Sequence, residues 1–186
     1  MVLEMKIIDS IKTSLIALTT FASAIHADAE PPLLSGTSWT LTSICETKYK
    51  CSTVKARDSN KLAIIDFPYT PVSAKETDGT IEILYSCGTE CSATYFILPD
   101  NTTSGPYPLV DTIDYEKGTL LILSKREFKI FKFSPAVKGA IKSVKADIPD
   151  DATLPSRVIE TKLVDHTYSI TFRDKYNNEK HIDIEQ

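Results

Sequence analysis

Four cysteines and two of the three histidines hold most of the reactive chemistry in this sequence. Cys45, Cys51, Cys87 and Cys91 offer a disulfide framework, a redox dithiol or a thiolate metal site, and their spacing separates these readings. Cys87-Gly-Thr-Glu-Cys91 sets three residues between the thiols. Thioredoxin-type centres use two, beside a helix N-terminus that lowers a thiol pKa. A closed zinc site needs four ligands at suitable spacing, and no histidine lies near either cysteine pair. An even number of cysteines in an exported chain reads as disulfides. Of the three pairings, the local one, 45–51 with 87–91, is the simplest. Cysteines at the base of a three-residue hairpin loop face each other with Cα atoms about 4.5–5.5 Å apart, which suits a disulfide.

Nucleophilic catalysis needs a nucleophile, a base and an orienting group in contact. His166 reads as part of a tight turn and His181 as part of a terminal strand. Nothing in the sequence sets a serine or an aspartate beside either, and neither a G-x-S-x-G nor an H-E-x-x-H motif is present. Asp147-Ile-Pro-Asp150-Asp151 is the densest acidic cluster, but it lacks the glycine and ligand pattern of a calcium loop and reads as solvated. Asn101-Thr102-Thr103 fits the N-glycosylation acceptor pattern, whose physical message is an exposed loop. The candidate binding residues are aromatic: Tyr69 between Pro68 and Pro71, and Tyr107 between Pro106 and Pro108. A tyrosine on a proline-stiffened loop loses little entropy on binding and supplies a large amphipathic contact.

The elements that position these groups come after an N-terminal leader. Lys6 and Lys12 precede or flank the apolar run Ser14–Ala22, and small-residue sites stand beyond it at Ala22-Ser23-Ala24 and Ala27-Asp28-Ala29. That order is the one of a secretory signal peptide, with Met5 as a suitable start. The expectation is a signal peptide over 1–27, cleaved between 24 and 30, ahead of a single β-domain over 28–186. The run is too short and too polar for a membrane span of about 20 apolar residues. The net charge of the chain is −4. Losing the leader removes two basic and two acidic residues and leaves it unchanged, without the basic surface of a nucleic-acid binder.

The remaining pattern has period two. Trp39, Leu41 and Ser43 share one face; residues 62–67, 80–86 and 93–98 are β-rich runs. Residues 109–115 and 119–123 flank a hairpin turn, 127–133 comes next, and 158–164 and 167–173 flank Asp165-His166. Asp78-Gly79 and Asn177-Asn178 are further turn signals, the latter ahead of a last strand over 181–184. Residues 68–71 read as a break, 99–108 as a Pro- and Gly-rich loop, and 136–145 as one or two helical turns or an irregular strand. The expected fold is all-β, an antiparallel β-sandwich or barrel of about ten short strands with little helix after the leader. A small β-propeller is the alternative, weakened by the absence of a fixed repeat.

The functional expectation is an exported protein of the periplasm or extracellular space that acts by surface recognition, an inhibitor or immunity-type protein. Its partner would be another protein or a cell-envelope component, with no nucleic acid, no cofactor and no membrane span in the mature chain. The alternative is an exported enzyme: a hydrolase using His166 or His181, or a thiol oxidoreductase using Cys87 and Cys91.

Overall fold

The structure, a computed structural model, describes residues 31–47, 49–88 and 91–186. The expected leader and its cleavage region lie outside the described residues. The described chain is all-β, with fifteen strands and no α-helix; one 3₁₀ turn spans Leu154–Ser156.

The strands form four antiparallel sheets in chain order. The first holds β1 (Leu34–Ser35), β2 (Thr40–Thr47), β3 (Lys50–Arg57) and β4 (Asn60–Phe67). The second holds β5 (Pro71–Thr77), β6 (Thr80–Gly88), β7 (Cys91–Ile97) and β8 (Thr103–Pro108). The third holds β9 (Val110–Asp114), β10 (Thr119–Leu123), β11 (Glu127–Lys132) and β12 (Ala140–Lys145). The fourth holds β13 (Val158–Val164), β14 (Thr167–Arg173) and β15 (Glu179–Glu185). None of the four sheets closes on itself into a barrel.

Turn chemistry explains the hairpins. Asp78 and Gly79 take φ of 50° and 77°, and Asp165 and His166 take 47° and 64°. Two consecutive positive φ values make the two-residue turn whose twist matches that of the strands it joins. Asn177, at φ 64°, turns β14 into β15, and the Asp174 carboxylate accepts from the N–H groups of Tyr176 and Asn178 at 2.9 Å each.

Three hydrophobic clusters join consecutive sheets. Leu41, Ile65, Ile81, Ile83 and Tyr85 join the first sheet to the second. Phe96, Tyr107, Leu120, Ile122 and Phe133 join the second to the third. Leu121, Phe128, Ile130, Tyr168 and Ile170 join the third to the fourth. Both faces of β10 are therefore covered, and all five residues of Thr119-Leu-Leu-Ile-Leu123 are buried. A strand covered on both faces reads as an unbroken apolar run, whereas β14, covered on one, alternates.

The expected strands are present, but fifteen strands replace about ten. The additional ones are the short β1, three that sequence patterning does not announce, β3, β5 and β8, and β12, where an irregular strand is one of the two expectations for 136–145. The composition of residues 99–108 predicts a loop, yet 103–108 is a strand. Pro71, Pro106 and Pro108 all lie in β5 or β8, the two edges of the second sheet. An edge strand has an unpaired side, so a proline's missing N–H costs it no ladder bond there.

Candidate functional site

The two disulfides link Cys45 to Cys51 and Cys87 to Cys91, with Cα separations of 4.0 and 5.0 Å. Each closes a hairpin, β2 to β3 and β6 to β7, as the local pairing anticipates. Cys87 and Cys91 sit on strands β6 and β7, and no helix lies beside them among the described residues. Replacing both Cys87 and Cys91 by serine is expected to lower stability by about 2 kcal/mol, the chain-entropy value for so short a loop. Urea denaturation of the double variant, with an unchanged circular dichroism spectrum, checks it.

One end of the first two sheets gathers both disulfides and the Pro68–Thr70 connection. Cys51 pairs in register with Phe67 at the end of β4, and Tyr85 pairs with both Pro71 and Ala93 beside the second hairpin tip. An aromatic chain runs through this end from surface to core. Exposed Tyr49 lies edge-on to half-buried Tyr69 at 6.3 Å; Tyr69 lies 5.9 Å from Phe67; and Phe67 lies 4.7 Å from Tyr85 and 5.7 Å from Tyr95. Such tilted and edge-on pairs are favoured by the ring quadrupoles. The inner member, Tyr85, is fully buried and donates to Thr53 Oγ1 at 2.8 Å. Burial pushes its pKa up to about 12, with the Thr53 hydrogen bond acting against the rise. Val72, 59 % exposed, follows as the second residue of β5.

Tyr107 differs from its expectation as an exposed binding residue. Its ring is buried on β8, packed 5.9 Å from both Phe96 and Phe131. Its hydroxyl lies 2.7 Å from Ser104 Oγ and donates to the Lys132 carbonyl at 3.2 Å. The flanking prolines shape an edge strand instead of a loop, and strand alternation turns the tyrosine inward. Tyr107 is a core residue of the junction between the second and third sheets.

The histidines also separate. His166 Nδ1 lies 2.7 Å from Asp114 Oδ2, a contact between residues 52 apart in sequence. Asp114 is buried at the end of β9, where it also accepts from Gln186 Nε2 at 2.9 Å and from the Lys117 N–H at 3.0 Å. Burial alone would raise the Asp114 pKa. The bonds from Lys117, His166 and Gln186 outweigh it and hold the carboxyl below its ordinary range. Gln186 Oε1 in turn accepts from Thr119 Oγ1 at 2.5 Å, and that hydroxyl lies 3.0 Å from the Tyr168 hydroxyl. His166 Nε2 faces Glu116 at 3.6 Å. Where a catalytic dyad would present a nucleophile, this imidazole meets a second carboxylate. The network pins the β13–β14 turn and the C-terminal residue to the β9–β10 hairpin.

His181 lies on the exposed face of β15. Its Nε2 lies 3.3 Å from Ser169 and 3.1 Å from Asp183, so serine and carboxylate share one nitrogen. A serine triad needs them on opposite nitrogens. Thr171 Oγ1 sits 3.3 Å from Nδ1. The group lies open to solvent along the strand pair. The acidic cluster is divided by ion pairs, Asp147 with Lys175 at 3.2 Å and Asp150 with Arg126.

Comparison with known proteins returns no matching family model, no similar curated protein and no similar solved structure. The class that the fold defines is an all-β chain of four antiparallel sheets, braced by two disulfides within hairpins of the first two. No helix among the described residues is long and apolar enough to cross a membrane.

Proposed function

We propose that this chain is an exported binding protein that acts by surface recognition of another protein, in the manner of an inhibitor or immunity protein of the periplasm or extracellular space. Its architecture is read as a layered β-sandwich in which each sheet covers the next. The observation that carries the reading is the placement of Tyr69. It lies between two prolines in sequence and packs edge-on to exposed Tyr49 and tilted against half-buried Phe67, at the end braced by both disulfides. A rigid aromatic anchor on a stapled scaffold offers contact area with little entropy left to lose. The signal-peptide pattern and the disulfides support an oxidising compartment. The histidine geometry favours binding over hydrolysis, since neither imidazole stands between a nucleophile and an orienting carboxylate.

The test is a photo-crosslinking residue at position 49, beside Tyr69, in the protein expressed in its own cell envelope. A single crosslinked partner is expected, and a crosslinker at exposed Ile159 on the fourth sheet should not capture it. Tyr69→Ala should then weaken binding to the purified partner by about thirtyfold, equivalent to about 2 kcal/mol for a central aromatic contact. Equal capture from positions 49 and 159, or full affinity in Tyr69→Ala, removes the recognition surface from this end.

A further inference from the structure

Lys55 is a charged residue in a core position. On the inner face of β3 it pairs in register with Leu41 and Ala63, both buried, and it is itself only 7 % exposed. Its apolar stem fills the layer between the first and second sheets, and its ammonium reaches toward the sheet end opposite the disulfides. There Nζ lies 5.0 Å from the centre of the Trp39 ring. No hydrogen bond or ion pair with any described residue satisfies that ammonium. Burial lowers its pKa; Glu76 acts to raise it and Arg57 to lower it further. An isolated ammonium in such a place is costly, and the cost falls when an anion reaches it.

The ammonium lines an open cleft of about 410 Å³ with Ser38, Trp39, Arg57, Glu76 and Asn101. The volume is within the range of small-ligand sites, about 300–1,000 Å³. Arg57 stands exposed at the mouth, also without an ion-pair partner among the described residues. Glu76 is the one carboxylate of the lining and is not within ion-pair distance of either cation. Trp39 itself is fixed from behind: a Cβ at Gly36 would stand 2.3 Å from its indole Nε1 and Cε2, so only glycine leaves room for the ring.

We infer that the Trp39–Lys55–Arg57 cleft binds a small oxyanion-bearing ligand, a carboxylate or a phosphate. One oxygen pairs with the Lys55 ammonium at the inner wall of the cleft, and the planar Arg57 guanidinium closes on the anion from the mouth. The cleft lies at the far end of the sheet pair from Tyr69, so the inference stands or falls apart from the proposed recognition surface.

Trp39 is the only tryptophan of the chain, so its fluorescence reports on the cleft directly. Inorganic phosphate, glucuronate and the neutral methyl glucoside are titrated against the disulfide-intact protein, with calorimetry as the second readout. Saturable binding of phosphate, glucuronate or both is expected, with none of methyl glucoside. Phosphate alone identifies a phosphorylated ligand, and glucuronate alone identifies a carboxylate ligand. Lys55→Met keeps the stem and removes the charge, and it should weaken binding by at least roughly tenfold. Arg57→Gln, on the exposed side, cannot upset the core and should weaken it too. Absence of heat and of fluorescence change with both anions overturns the inference. So does unchanged affinity in a folded Lys55→Met, or in Arg57→Gln if Lys55→Met fails to fold.

Discussion

Phe96→Ala is expected to lower stability by about 4 kcal/mol, within the range for deleting a buried phenylalanine. Phe96 is fully buried on β7, stacked at 4.5 Å on Phe133 and tilted at 5.9 Å against Tyr107. It stands at the centre of the cluster that joins the second sheet to the third. Its loss leaves a cavity between two sheets whose strands are held by their own ladders and cannot close over it cheaply. Phe96→Leu, which conserves most of the volume, should cost under about 1.5 kcal/mol. Ile159→Ala, at a residue 48 % exposed, should change little. Urea denaturation of the three variants decides the matter. Comparable losses for Phe96→Ala and Ile159→Ala would mean that the second and third sheets are not packed on one another.

Asp114→Ala is expected to cost about 3 kcal/mol, although no apolar contact of note is lost. The buried carboxylate accepts from Lys117, His166 and Gln186, and removing it takes the shared acceptor from all three donors at once. His166→Ala should cost less, since that ring is partly exposed and only one of the three bonds goes with it. Acidity gives a separate signature. The carboxyl of Asp114 is held below its ordinary value of 3.8, so the folded state releases its proton more readily than the unfolded chain. The stability this provides is fully present above that value and is lost as the pH falls through the lower folded pKa. The wild-type protein should therefore lose its advantage over Asp114→Ala below about pH 4. A gap between the two that stays constant from neutral pH to acid would show that the charge of Asp114 is not what the network uses.

The strands that alternate or run apolar are legible residue by residue. Val158–Val164 and Thr167–Arg173, with Asp165 and His166 between them, occupy the positions that period two and turn chemistry require. The β6–β7 hairpin and its disulfide arise from local spacing in the same way. The strands hidden from such patterning are those whose composition mimics a loop. Thr103-Ser-Gly-Pro-Tyr-Pro108 carries the marks of irregular chain, and only its place at the edge of the second sheet makes it a strand. Tyr107 misleads for the same reason: braced by prolines it looks like a surface anchor, and strand geometry points it inward.

The sites divide along that line. Tyr69 on its proline-bounded connection, the local cysteine pairs and the tight turn at His166 are consequences of neighbours in sequence, because turn dihedrals and short loops are set within a few residues. The Asp114–His166–Gln186 network and the lone charge of Lys55 beside Trp39 are not. Asp114 and His166 meet because the β9–β10 hairpin and the β13–β14 turn come together where the third and fourth sheets pack. Lys55 is buried because β3, which alternation does not announce, turns its odd-numbered residues toward the second sheet. Sheet stacking brings together residues tens of positions apart, and it is driven by apolar area summed over whole faces. No single residue's pattern encodes which polar groups that burial will carry along.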